Sequence, residues 1–125
     1  MDENRIANRV IGAAIEVHRA LGPGLLESAY RDCLRYEISL MGMHCEAEVP
    51  ISISYKGLVI GNAYRADLLI ENCLMVELKC VERMNEIHRT QLLTYLRWSK
   101  RKLGLLINFN TLLLKSGIQR VVNNL

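Results

Sequence analysis

Apolar residues recur at three- and four-residue steps between Asn4 and Leu21, where Ile6, Val10, Ala13, Ala14 and Val17 form one stripe. That period predicts an amphipathic helix. Gly22-Pro23-Gly24 ends it, because proline lacks the N–H that would continue the ladder and glycine takes turn dihedrals. A second helix is predicted from Leu25 to about Leu40, with Gly42 just beyond its end. The period then shortens. Cys45–Tyr55 alternates apolar and polar residues like a half-buried strand, with Pro50 at an edge or bulge. Lys56-Gly57 signals a turn, and Leu58–Arg65 with Ala66–Ile70 reads as one extended stretch with a bend at Gly61-Asn62. Glu71-Asn72-Cys73 reads as a hairpin loop leading into an apolar strand, Leu74–Cys80. Helical spacing returns over Asn85–Ser99 through Ile87, Leu92, Leu93 and Leu96, and Leu103–Phe109 is another buried strand. Ile118–Val122 is a short final strand or a packing extension. The order α-α-β-β-β-α-β is a mixed α/β architecture rather than a repeating βαβ chain.

The 125 residues, half of them hydrophobic and 23% charged, fit one domain spanning 1–125. A chain of this length builds a core without a disulfide or structural metal. The longest apolar runs, Leu103–Phe109 and Leu112–Leu114, fall far short of the roughly 20 residues a membrane span needs. The start, MDENRIANRV, has no apolar signal region, so the expected compartment is the cytoplasm. Cys33, Cys45, Cys73 and Cys80 are irregularly spaced and are read as free thiols rather than as zinc or iron–sulfur ligands.

Charge is unevenly spread. Residues 1–62 carry six Lys/Arg against eight acids, and residues 63–125 carry ten against five, giving −2 and +5. The densest run is Arg97-Trp98-Ser99-Lys100-Arg101-Lys102. It has two readings: a phosphate-tracking patch with Trp98 as a stacking platform, or a helix C-terminus that collects cations.

Chemistry concentrates on the apolar strand Leu74–Cys80, which nevertheless contains Glu77 and Lys79 on one face. Charges inside a buried strand are costly unless paired or bound to an ion. A hairpin turning about Asn72 pairs residues whose numbers sum to 144, which sets Asp67 opposite Glu77 and Leu69 opposite Met75. Two opposed carboxylates repel, and a divalent cation reverses the sign, because Mg²⁺ takes one or two carboxylates plus waters. A two-residue turn at Asn72-Cys73 would instead send Asp67 to the other face. The bland alternative for Glu77 and Lys79 is an exposed salt-bridged ladder. Glu27, three residues from Tyr30, offers a third carboxylate, or serves as a first-turn acid on its helix. His88, Gln91 and Tyr95 form a polar stripe along the later helix. It fits hydrogen bonds to a phosphate, a base or Lys79, or a solvated face. His88 has no partner histidine and is assigned neither as a metal ligand nor as a general base.

Four segments together resemble the GxxExxY protein family, a branch of the PD-(D/E)XK nuclease superfamily, from about Arg5 to Val122. They are Gly24-x-x-Glu27-x-x-Tyr30, Tyr64-Arg65-Ala66-Asp67 with Val76-Glu77-Leu78-Lys79, His88-x-x-Gln91-Leu92-Leu93-x-Tyr95-Leu96, and Gly104-Leu105-Leu106-Ile107-Asn108-Phe109. The resemblance implies a restriction-endonuclease-like αβββαβ core, a mixed sheet flanked by helices, with an extra N-terminal helix. It implies that Asp67, Glu77 and the Leu78 backbone carbonyl bind Mg²⁺ or Mn²⁺, with Glu27 assisting through water. Lys79 would orient the attacking water and Gln91 would support it. Tyr30, Arg65, Tyr95, Trp98, Lys100, Arg101 and Lys102 are the expected nucleic-acid contacts. Ala66 stands where the superfamily's namesake proline would be. The implied activity is metal-dependent hydrolysis of nucleic acid, DNA ahead of RNA, with a homodimer expected for duplex cleavage. The alternative is a catalytically weak or inactive nuclease-fold module that binds nucleic acid or a protein partner.

Overall fold

The computed structural model describes residues 2–125. The first helix, α1 (Glu3–Leu21), starts at Asp2, whose carboxylate accepts the Arg5 N–H at 2.9 Å. It stops where Gly22 takes a φ of 73°. The second, α2, covers Glu27–Leu40 and begins two residues later than the apolar pattern predicts. The reason is local: Leu26 stays extended as the N-cap, and the Tyr30 hydroxyl takes the Leu25 N–H at 3.1 Å.

Three strands follow, β1 (Cys45–Tyr55), β2 (Leu58–Ile70) and β3 (Leu74–Lys79). The Lys56-Gly57 turn has both residues in the left-handed region, φ 47° and 89°, and joins β1 to β2 directly at the Tyr55/Leu58 pair. The expected bend near Gly61-Asn62 is a register shift in the β1–β2 pairing between Ile51 and Ile53. The loop after β2 holds the predicted register. Ile70 pairs with Leu74, Leu69 with Met75 and Leu68 with Val76, and the Cys73 N–H returns to the Ile70 carbonyl at 3.0 Å. A two-residue turn at Asn72-Cys73 is thereby excluded.

The helix α3 (Glu86–Ser99) crosses from β3 to the parallel strand β4 (Leu103–Asn108). After a 3₁₀ turn at Leu114–Gly117, β5 (Ile118–Val122) pairs antiparallel with β4, so the tail is a strand. The sheet runs β1-β2-β3-β4-β5, and only its central β3–β4 pair is parallel. One face packs Leu68, Val76, Leu78 and Leu105 against the apolar stripes of α1 and α2. The other packs Met75 and Leu106 against Leu92 and Leu96 of α3. This layering fits the αβββαβ core with one additional N-terminal helix. Among the described residues, no helix is long and apolar enough to cross a membrane.

Candidate active site

The β2–β3 ladder ends at Leu68/Val76, one pair short of Asp67 and Glu77. Beyond that point the Leu78 N–H finds no strand carbonyl on β2. The Asp67 carboxylate supplies the acceptor instead, with Oδ2 at 2.7 Å. On the far side of β2 the β1–β2 pairing also skips Glu48 and Asp67, and Glu48 takes a φ of 52°. Side-chain alternation slips in this row. Ala47 and Leu68 face the α1/α2 layer, whereas Val49 and Ala66, two residues further along their strands, face α3. Asp67 therefore sits where β2 changes faces, and its carboxylate turns into the fork between β2 and β3. Arg31 holds the Glu48 carboxylate at 3.0 Å.

Glu77 occupies the β3 side of that fork and is only 7% exposed. Its Oε1 is buried with no hydrogen-bond partner among the described residues. Burial first, and then the neighbouring Asp67 charge, push its carboxyl up to about 9, against a smaller opposing pull from Lys79. Among the described residues neither Glu77 nor Lys79 makes a salt bridge, so the salt-bridged-ladder reading does not describe this strand.

A cavity of about 310 Å³ opens over these groups and carries mostly polar surface. Glu27 reaches it from the start of α2, Arg65 and Asp67 from β2, Glu77 and Lys79 from β3, and Gln91 and Tyr95 from α3. The Tyr64 and Tyr95 rings stack at 3.6 Å between centroids, and the Tyr64 hydroxyl donates to the Tyr95 carbonyl at 2.9 Å. Burial, reinforced by the Glu77 charge, raises the pKa of both phenols, so both stay protonated at neutral pH.

The donor set fits a hard divalent cation. Two carboxylates meet at a buried fork, and one of their oxygens lacks any partner there. Among the described residues no three His, Cys, Asp or Glu side chains converge into a full cage. Such a site would leave several positions of a hard divalent cation to water or other oxygen ligands.

Five of the residues expected to touch nucleic acid lie elsewhere. Tyr30 is fully buried. Its hydroxyl donates to the Gly22 carbonyl at 2.6 Å and accepts from Leu25 N–H, and its ring stacks on Phe109 at 4.5 Å. The assignment of Tyr30 to nucleic acid is therefore corrected: it ties down the turn that aims Glu27. Tyr30→Phe should keep the stack and lose both bonds, lowering stability by roughly 1–3 kcal/mol in urea denaturation. Trp98, Lys100, Arg101 and Lys102 do not line the cavity; the last three line a separate depression with Glu3, Asn72 and Cys73. That depression lies by the Leu74/Leu103 end of the β3–β4 pair, about 10 Å along the strand from Glu77. Arg101 is spent there on the Asn72 side chain at 2.8 Å and on backbone carbonyls.

Tyr64 also lines the cavity and received no role of its own from the sequence, whereas His88 lines it as a member of the polar stripe read there. Tyr64 stood within the Tyr64–Asp67 segment, yet its placement depends on the face change at Asp67, which alternation alone does not reveal.

A family model of the PD-(D/E)XK nuclease superfamily matches residues 4–121, and the chain belongs to that superfamily. Its members generally use divalent metals and bind nucleic acid. No curated protein and no solved structure matches the chain.

Proposed function

We propose that this protein hydrolyses phosphodiester bonds of nucleic acid, DNA ahead of RNA, with Mg²⁺ or Mn²⁺ held by Asp67, Glu77 and the Leu78 backbone carbonyl. The observation that carries the reading is the partnerless buried Glu77 Oε1 beside Asp67, in a cavity that also presents Lys79 and Gln91. A buried carboxyl oxygen left without a partner beside a second acid is costly in a purely structural role. When bound, the ion offsets phosphate charge and makes water a stronger nucleophile.

The chain's own residues supply the remainder. Lys79 places a fixed positive charge where the phosphate gains negative charge, and it orients the water that attacks phosphorus. The bond from phosphorus to the leaving oxygen breaks as the new P–O bond to water forms. The attacking water gives up a proton to solvent, and the departing alkoxide takes one up from solvent to leave as the alcohol. Gln91 donates to Lys79's water or to a phosphate oxygen. Glu27, exposed at the start of α2 and lining the same cavity, would assist a bound ion through water. Arg65 and Tyr95 hold the nucleic acid at the cavity edge. The Gly24-x-x-Glu27-x-x-Tyr30 motif supports reading the chain as a GxxExxY-type member of the superfamily, and a homodimer would bring two such sites to the two strands of a duplex.

Calorimetric titration with Mn²⁺ tests this, on the parent and on Glu77→Ala, each alone and with a short DNA duplex. The expected result is binding by the parent that the variant loses, together with cleavage of the duplex by the parent alone. Metal binding without cleavage of DNA or RNA would favour the inactive nucleic-acid-binding module. No binding in any combination would overturn the metal site.

A further inference from the structure

The geometry points to His88 as a substrate-binding residue: a neutral imidazole whose Nε2–H donates to a phosphodiester oxygen lying in the cavity. This rests on the nucleic-acid reading above, but not on turnover.

His88 stands in the first turn of α3, three residues before Gln91, and lines the cavity that Lys79 also lines. Its Nδ1 accepts the Asn85 backbone N–H at 3.3 Å, while the Asn85 side chain accepts the Ile87 N–H at 3.1 Å. Together with the Asn85 side-chain bond to the His88 backbone, this is a capping box with histidine in the position usually held by Glu or Gln. A backbone N–H can only donate, so Nδ1 must present its lone pair and the ring proton resides on Nε2. Nε2 lies on the opposite edge of the ring, away from the cap, and has no hydrogen-bond partner among the described residues.

The cap has a chemical consequence. Charging the ring requires a proton on Nδ1, which breaks the bond to Asn85. Ligating a cation through Nε2 requires removing its proton, which needs the other tautomer and breaks the same bond. The cap thus selects one species, a neutral donor. Among the ligands expected in this cavity, an anionic phosphate oxygen is the acceptor that such a donor suits. Gln91 lies one helical turn further on, so the two side chains offer donors about 5 Å apart along α3, enough to contact one phosphate or two adjacent ones.

Two variants separate substrate contact from capping. His88→Gln and His88→Glu both retain an oxygen that can reach back to the Asn85 N–H. Only Gln also offers a donor to the cavity, whereas Glu offers a second anionic oxygen. Melting temperatures of both should stay near the parent's. Affinity for a short DNA duplex, measured without cleavage by adding no divalent metal, should be close to the parent's in His88→Gln. In His88→Glu it should fall about ten- to a hundredfold. Two-bond ¹H–¹⁵N correlation spectra of the parent should show the Nε2–H tautomer, with its Nε2 signal shifting as duplex is added.

An Nδ1–H tautomer, a cationic ring at neutral pH, or His88→Glu binding like the parent would each overturn the assignment. So would a parent that binds no duplex. None of these readouts requires bound metal, so they fail independently of the Mn²⁺ titration. A metal site confirmed without a His88 contact, or a contact found without a metal site, are distinct results.

Discussion

Glu77→Gln is expected to make the metal-free protein more stable at pH 8 than its parent, while abolishing cleavage. The Glu77 carboxyl stands near 9 in the folded chain against an ordinary 4.5, chiefly because it is buried. Between those values the folded protein holds a proton that the unfolded chain releases. Raising the pH therefore favours unfolding across that window, and the loss of stability is complete once pH exceeds the folded value. Glutamine matches the shape and carries no titrating proton, so this slope disappears. Urea midpoints in the presence of chelator should converge for parent and variant near pH 5 and separate steadily toward pH 9, with the variant higher. Added Mn²⁺ should reverse the order, because only the parent gains stability from binding. Asp67→Asn should flatten the slope only in part, since the Asp67 charge is the lesser cause, and Asn Oδ1 still accepts the Leu78 N–H. A parent that grows more stable from pH 5 to 9, relative to Glu77→Gln, would mean that Glu77 is held by a cation of the chain itself.

The pairing that makes Glu77 and Asp67 neighbours was legible in the sequence because a loop's length sets a hairpin's register. Three residues between Ile70 and Leu74 fix which positions face each other, and Leu69/Met75 follows. The succession of elements beyond the hairpin followed from apolar runs separated by one amphipathic helix, while their order in the sheet is a property of the fold. What escaped has physical causes too. Nothing in the residue type announces that Glu48 takes a left-handed conformation, yet the face change there turns Asp67 into the fork. Spacing on α2 associates Tyr30 with Glu27, but only packing against Phe109 shows that the tyrosine points into the core and its hydroxyl is consumed by the preceding turn. The run Lys100–Lys102 is conspicuous as composition. Its location at the Asn72 turn is a property of the sheet, which composition does not encode. His88 reads as part of a polar stripe because a histidine in a capping box is not a pattern that helix-start signals emphasise.

Lys79→Ala is the complementary case, expected to remove catalysis and leave the fold and the metal site in place. The β3 backbone at this point is held without the ammonium. Lys79 pairs in parallel with Asn108, the Phe109 N–H donates to the Lys79 carbonyl at 2.9 Å, and the Asn108 amide clamps the next turn of chain through both Val81 backbone groups. The lysine side chain is half-buried and, among the described residues, free of any salt bridge, so truncation breaks no ion pair. Its removal also withdraws the one charge found to oppose the rise in the Glu77 pKa. The cost therefore falls on the reaction: single-turnover cleavage of a duplex with Mn²⁺ should slow by about 10²–10³-fold or more. Calorimetric Mn²⁺ affinity should persist and move toward higher pH, because Glu77 then gives up its proton less readily. Lys79→Arg should not restore the rate, since a planar guanidinium neither matches the compact ammonium nor places its charge at the same point. Unchanged cleavage in Lys79→Ala would remove the lysine from the mechanism. Loss of metal binding in step with loss of cleavage would make it a support for the carboxylates instead. Only the split between the two measurements assigns to Lys79 the transition-state charge that a nuclease of this architecture requires.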